Sequence, residues 1–523
     1  MSESSTGGHL HQGPPDTKLD RHVLMVAGVV VLGAIMSILD ITVVNVALPV
    51  FQTEFATDPA QPLAYSTVAW TVTAYTLALA TVIPLTGWAA DRFGTKRLYL
   101  LAVALFTAGS ALCAAAGSIE MLIAFRVLQG LGGGMLMPLG MTIMTRAAGP
   151  DRMGRLMAIL GVPMLLGPIL GPILGGYLIE NQSWHWIFLI NVPIGIGALI
   201  YAFVVLPNDS VEPSETLDVK GLLLMSPGLA LFLYGVSTIP EAGTIFDAEV
   251  LITMVLGAAL IVAFVFHSFR PAHPLLDLRL FKNRNLTVSI ITMFLFAAAF
   301  FGGLLLVPTY FQSVRGESTL DAGLLVAPQG IGAMLTMPIA GALADRLPVG
   351  RIVPVGLVLI VGGMFGMTQV GSETSYTYII VVLFILGLGM GATMMPLMTS
   401  ALKTLTHHEV ARGSTLLNIV QQIASSVGVA IMSVILTNAI KDRALAGPAM
   451  ATHKDPALVE RMGGPQVVAE GLAQAGDAFS TTFWVAAILV ALSLVPAAML
   501  PRKREKSHLL DDEGEARPPV VVH

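Results

Sequence analysis

Cysteine is all but missing: Cys113 is the only one among 523 residues. A single thiol excludes an intrachain disulfide and any cysteine-built metal cluster. Its place in an apolar run makes it a small buried or lipid-facing residue. Charge is scarce too, with Asp, Glu, Lys and Arg at 12% against 55% hydrophobic residues. No soluble domain keeps so much apolar sequence in long runs, so a soluble fold is excluded. No GxxxxGK[ST] stretch occurs, which excludes ATP hydrolysis through a phosphate loop of that kind. An integral membrane enzyme would need a catalytic cluster, yet the one Asp-Asp pair, Asp511–Asp512, sits in the C-terminal tail. Neither a metal nor an organic cofactor is expected, and nucleic acid is not an expected partner. No cleavable signal is expected either: residues 1–21 are polar and lead into no short apolar segment with a small-residue cleavage site. They read as a disordered cytoplasmic arm.

What the chain has is apolar runs near the ~20 residues that a helix needs to cross a bilayer. They fall at 23–48, 66–90, 98–117, 119–143, 156–179, 186–206, 219–238, 249–269, 286–310, 322–344, 352–370, 377–399, 413–438 and 478–500. In lipid every backbone group must be paired within its own segment, so these runs are 14 transmembrane helices of an all-α polytopic protein. Of the 28 Lys and Arg, 22 lie on the side that would hold both termini and five on the other. The bias places both ends in the cytoplasm. The tail at 501–523 opens with RKREK and reads as a membrane-edge anchor. The segment from Ala439 to Asp477 is the one sizeable outer loop and a candidate surface for a periplasmic adaptor protein, although a plain solvated loop is the simpler reading.

The remaining cation, Arg126, lies inside a run, and so does one carboxylate, Asp40. An acid at the bilayer centre costs about 2.5–3.5 kcal/mol, which makes it a functional candidate that must face a partner or a cavity. At ~1.5 Å per residue, Asp40 lies roughly 13 Å below the outer end of its helix and Arg126 roughly 10 Å below the same surface. Their depths suit a compensating or competing pair.

An internal repeat sorts the helices. GWAADR at 87–92 recurs as GALADR at 341–346, and GLGGGMLMPL at 130–139 recurs loosely as GLGMGATMMPL at 387–397. Two matches at nearly one offset mark a duplicated transporter half. The offset spans eight helices, so the chain divides into a six-helix bundle at 22–206, a linker with two extra helices at 207–285 and a second bundle at 286–500. Arg126 maps onto Leu383 and Asp40 onto Ala299, which confines membrane ionic chemistry to the first half. In the second half Asn418, Gln421, Gln422 and Ser425 form a polar line at helical spacing. They line a substrate cavity or bond helix to helix. Asn45, Tyr75 and Gln129 are further cavity candidates.

Two more stretches carry chemistry. Gly87, Asp91, Arg92, Gly94 and Lys96 occupy a short basic loop whose Asp-Arg pair recurs as Asp345 and Arg346. Its glycines allow close backbone approach, and Asp91 suits the positive N-terminal end of a neighbouring helix. Together these residues read as a conformational latch. Gly167, Gly171 and Gly175 lie four apart on one face, joined by Pro172 and Gly176; small residues at that spacing allow close helix packing.

These motifs resemble those of the major facilitator superfamily. The loop at 87–97 is similar to its inner-loop motif, with Ala89 and Thr95 as departures, and the second copy breaks down after Arg346. The stretch 167–176 resembles the family's antiporter motif. LDITVVNVALP at 39–49 and WHWIFLINVP at 184–193 resemble the 14-helix drug:proton antiporter branch, the EmrB/QacA type. The resemblance covers about residues 20–500. It implies alternating access by rocking of two pseudo-symmetric halves in the bacterial inner membrane, with lipophilic, often cationic drugs expelled as protons enter. The proton gradient would replace any cofactor. A proton-coupled exporter of one metabolite, lipid or siderophore is the rival on the same scaffold.

Overall fold

The computed structural model describes residues 20–56, 63–148, 152–208, 216–242, 244–406, 409–453 and 456–503. Most of the expected arm and tail lie outside the described residues. The described residues are helical throughout their apolar runs and include no strand. The spanning helices of the first half are α1 Arg21–Glu54, α2 Tyr65–Phe93, α3 Thr95–Ala114, α4 Ile119–Ala148, α5 Met153–Asn181 and α6 Trp186–Val205. Then come α7 Val219–Ala242 and α8 Ala248–Ser268, followed by α9 Arg284–Ser313, α10 Thr319–Arg346 and α11 Val349–Met367. The last are α12 Tyr376–Lys403, α13 Val410–Lys441 and α14 Pro465–Ala497. Among the described residues 13 helices are long and apolar enough to cross a membrane. α5, at 29 residues, is also of spanning length.

Duplication is visible in the packing. In the first half α2 and α3 pack on α4, and α1 packs on α5; in the second, α10 and α11 pack on α12, and α9 on α13. Glycines set the close crossings. Gly130 abuts the Tyr75 carbonyl, Gly132 that of Ala102 and Gly134 that of Leu79. In the second half Gly387 abuts the Gln329 carbonyl, Gly389 that of Gly356 and Gly391 that of Ala333. A Cβ at any of these six positions would enter a neighbouring backbone, which cannot yield as a side chain can. Prolines repeat in step: Pro49, Pro84 and Pro138 inside α1, α2 and α4 answer Pro308, Pro338 and Pro396 inside α9, α10 and α12.

The halves meet along two seams, α5 against α10 and α2 against α13. The extra pair forms a hairpin beside the second seam. α7 packs on both α2 and α13, and Ser226 Oγ donates to the Thr81 carbonyl at 2.7 Å. α8 leans mainly on α7 and turns Ile252, Val255 and Phe266 outward, as a lipid-facing helix does. Asp218 pins the base of the hairpin, accepting from Gly221 N at 2.8 Å and Leu275 N at 3.3 Å and bonding His267 Nε2 at 2.7 Å. Burial alone would raise its carboxyl, but these hydrogen bonds outweigh burial and hold it below the usual carboxylate range.

One expectation needs correcting. The segment from Ala439 to Asp477 is not a plain solvated loop: it carries short helices at Ala446–Ala451 and Leu458–Arg461, and α14 already begins at Pro465. Gly471 lets α14 close onto the Leu445 carbonyl and Ala449.

Candidate functional site

Asp40 and Arg126 form an ion pair in the middle of the first half. Asp40 Oδ2 accepts from Arg126 Nη1, and the two residues are 1% and 0% exposed, so neither faces lipid. Three further helices, α2, α3 and α6, complete the shell. Gln129 Nε2 of α4 donates to Asp40 Oδ1 at 2.7 Å and to Ser110 Oγ of α3 at 2.7 Å. Asn191 Nδ2, in α6, reaches Asp40 Oδ1 at 3.3 Å. Arg126 Nε donates to the Thr71 carbonyl of α2 at 2.9 Å, and Nη1 also reaches Gln129 Oε1 at 2.7 Å. The Tyr75 ring lies 4.1 Å from the guanidinium carbon, a cation–π contact, and Tyr75 Oη lies 3.1 Å from Ser37 Oγ. A buried pair is tolerable only when its remaining donors and acceptors are satisfied. Here Arg126 Nη2 alone lacks a partner.

Local sequence explains the convergence. Gln129 follows Arg126 by three positions, so both project from one face of α4. Gly109 of α3 packs directly on the Gln129 backbone and Cβ, where a side chain would force α3 and α4 apart. Gln129 and Tyr75, expected at a substrate cavity, thus belong to the ionic shell. Asn191, Ser110 and Thr71 were not singled out from sequence. Three ordinary polar residues on three helices carry no signal until the helices are assembled, although Asn191 falls inside WHWIFLINVP.

The expected latch residues lie where the halves touch at their basic ends. Asp91, at the end of α2, pairs with Arg412 of α13 at 3.8 Å and with Arg146 of α4 at 3.6 Å. Its repeat, Asp345 at the end of α10, accepts from Gly154 N of α5 at 2.8 Å and pairs with Arg155 at 3.9 Å. Asp345 thus meets a backbone N–H in the first turn of α5, where exposed N–H groups favour negative charge, while Asp91 meets the side chain of Arg412 in the first turn of α13. Gly87 approaches the Ala411 carbonyl and Gly341 the Gly154 carbonyl, which lets these ends meet. Gly94, at φ +88°, turns α2 into α3 in a region open to glycine and little else. Lys96 sits over the Phe203 ring at 5.3 Å, and Arg346 is exposed beside Asp345. Just inside this end, Thr142 Oγ1 and Ser414 Oγ join α4 to α13 at 2.8 Å.

On α5, Gly167 and Gly171 press against Ile38 and Thr42 of α1, and Gly175 against Val43. Thr42 Oγ1 donates to the Gly167 carbonyl at 3.1 Å. Ile38 and Thr42 flank Asp40 by two residues on either side, about 200° around a helix with 3.6 residues per turn. Gly167 and Gly171 therefore pack on the face of α1 opposite the carboxylate. Gly176 meets nothing within 4 Å, and the Pro172 side chain lies outside the described residues. Asn418 is buried, donating to the Ser414 carbonyl at 2.8 Å and to Met141 Sδ at 3.1 Å across the seam. Gln421, Gln422 and Ser425 are half-buried further along α13, with Gln421 Oε1 unpartnered. Asn45 is exposed and bonds its own helix at Ile41.

Two duplicated six-helix halves, joined at one end through charged helix termini and, among the described residues, holding a buried ion pair inside the first half, define a multi-pass membrane transporter. The chain belongs to the Major Facilitator Superfamily, whose family model matches residues 30–429. It is 47% identical over 512 residues to the Mycobacterium tuberculosis "Multidrug resistance protein B homolog", covering 94% of this chain and 92% of that one. It is 32% identical over 400 residues to the Haemophilus influenzae "Multidrug export protein EmrB", covering 76% and 77%. Among solved structures it shares its fold with the proton:xylose symporter XylE, at TM-score 0.59 and 16% identity over 94% of this chain and 99% of that one. The human organic anion transporter MFSD10 aligns at TM-score 0.57 and 18% identity over 91% and 100%.

Proposed function

We propose that this chain exports lipophilic, often cationic drugs in exchange for protons. In this reading it sits in a bacterial cell membrane with the basic end and both termini in the cytoplasm. The observation that carries it is the Asp40–Arg126 pair: one ionisable carboxylate, shielded from lipid, whose charge state decides whether a guanidinium beside it is neutralised. The names of the relatives supply the cargo class.

The arrangement supports a cycle. With both latches made, the cytoplasmic end is shut and the halves can part only at the far end. A proton arriving at Asp40 Oδ2 cancels the carboxylate and leaves Arg126 with Thr71, Gln129 and the Tyr75 ring. An uncompensated buried cation is costly, so α1 and α4 gain a reason to rearrange against each other. The surplus positive charge also repels a cationic cargo and favours its release. When the proton leaves toward the cytoplasm the pair re-forms and the repulsion ends. At the seam, Gly161 packs on Met337 and Met395, and Met141 meets Asn418. Flexible thioethers of this kind suit a site that takes varied apolar shapes. One proton moving through 100 mV and one pH unit supplies about 3.7 kcal/mol, enough for a several-hundred-fold gradient of a neutral cargo.

Asp40→Asn imitates the protonated state, which the cycle must visit, so the variant is expected to insert and accumulate normally while losing proton-coupled export. Drug resistance of cells expressing Asp40→Asn at wild-type protein level checks this. Full resistance in that strain rules the role out.

A further inference from the structure

We propose that the extra hairpin builds a second site, a cation-binding cavity between α2, α7 and α8 that takes an alkylammonium group. The cavity, of about 370 Å³, opens at the end of the molecule opposite the latches. That volume lies within the range of small-molecule pockets. Its walls include Trp70 and Thr73 of α2, Tyr234 and Thr238 of α7, and Asp247 and Glu249 at the start of α8.

The aromatic wall is a stacked pair, Trp70 and Tyr234, with ring centroids 5.6 Å apart and planes at 27°. Trp70 remains 41% exposed, leaving much of the ring surface open. Tyr234 Oη donates to Glu249 Oε1 at 2.6 Å, which fixes the carboxylate beside the rings. Asp247 spends its carboxylate on Glu249 N and Val250 N as the cap of α8. Glu249 is instead turned away from the helix N-terminus toward the aromatic pair. No Lys, Arg or His lines the cavity among the described residues. An electron-rich ring face next to an unneutralised carboxylate attracts a cation, and the pull grows as water is excluded. The described residues hold no group of three or more His, Cys, Asp or Glu suited to a metal ion. A ring face beside a single carboxylate suits a weakly hydrated alkylammonium better than a compact metal ion.

The site is separate from the ion pair, although the residue after Trp70 presents its carbonyl to Arg126. It does not depend on drug export: the hairpin and α2 alone build it. A free organic cation and the ammonium of a lipid head group offer the same chemistry.

The test is saturation binding of radiolabelled tetraethylammonium to the full chain in phosphatidylglycerol nanodiscs. Saturable binding is expected in the wild type. Glu249→Gln keeps an acceptor for Tyr234 but removes the charge, and Trp70→Leu keeps bulk but removes the ring; each is expected to weaken binding at least tenfold. Asp40→Asn is expected to bind within twofold of wild type, which separates this site from the coupling proposal. A neutral tertiary alcohol of similar size, 3-ethyl-3-pentanol, is expected not to compete. Weaker binding in phosphatidylethanolamine nanodiscs would identify the lipid ammonium as occupant, and equal binding a free cation; both support the site. No saturable binding in the wild type, binding unchanged in both cavity variants, or binding lost in Asp40→Asn would overturn it.

Discussion

At the residue scale, the proposed mechanism rests on one carboxylate and on how its partners share it. Asp40 accepts from Arg126, Gln129 and Asn191, and of these only Arg126 carries the charge that neutralises it. The consequences of deletion differ by partner. Arg126→Ala strands a buried carboxylate, and breaking one side of a buried ion pair costs about 3–5 kcal/mol. Lower yield and a lower melting temperature are expected, checked by fluorescence-detected size-exclusion after heating. Replacing both members, as Asp40→Asn with Arg126→Met, removes the stranded charge and is expected to recover most of that loss while transport stays absent. A double variant no more stable than Arg126→Ala would show that the pair is not the source of the cost. The sequence made Asp40 and Arg126 legible because charge in an apolar run is rare and the two depths match. Gln129 was visible as a polar residue but not as a ligand of the pair. Its role follows from the face it shares with Arg126 and from Gly109 opposite, and the second of these needs the packed helices.

At the element scale, glycine decides which helices can touch. Gly171 presses on Thr42 with no space for a larger side chain. Gly171→Val is expected to destabilise the α1–α5 contact by about 1–3 kcal/mol, the usual cost of overpacking, and to lower the melting temperature without changing helix content. The hairpin base offers a pH test. Asp218 is depressed in the folded protein, so its contribution is present above the unfolded carboxylate value of about 3.9 and is lost as pH falls through the folded value. Below about pH 4 the wild type is expected to lose stability faster than Asp218→Asn, whose stability is lower but flatter with pH. Helix number, the repeat and the extra pair were all legible, because hydropathy and motif offsets are local properties of the chain. The segment from Ala439 to Asp477 was misread for a physical reason. The start of α14 is a polar stretch with Glu470 and Asp477, and its helicity comes from packing on a neighbouring short helix rather than from apolar content.

At the scale of the whole molecule, Asp91 and Asp345 are repeat-related, and in the proposed cycle they act together as latches. Asp91 and Asp345 each hold the first turn of a helix in the opposite half. Removing both charges is expected to shift the population toward the state open at the basic end. The chain suits a labelling test, since Cys113 is buried and contributes little background. Ser414 is sealed against Thr142 at the seam. A thiol introduced by Ser414→Cys is expected to react several-fold faster with a soluble maleimide when Asp91→Asn and Asp345→Asn are added. An unchanged rate would mean that the latches do not set the conformational balance.

Coupling itself is tested most directly by proton movement in proteoliposomes of the purified chain with a pH dye inside. Adding a lipophilic cationic drug to the side from which it is expelled is expected to change the internal pH in the wild type. Asp40→Asn is expected to give no change at equal protein incorporation. A drug-evoked proton flux that survives Asp40→Asn undiminished would contradict the account.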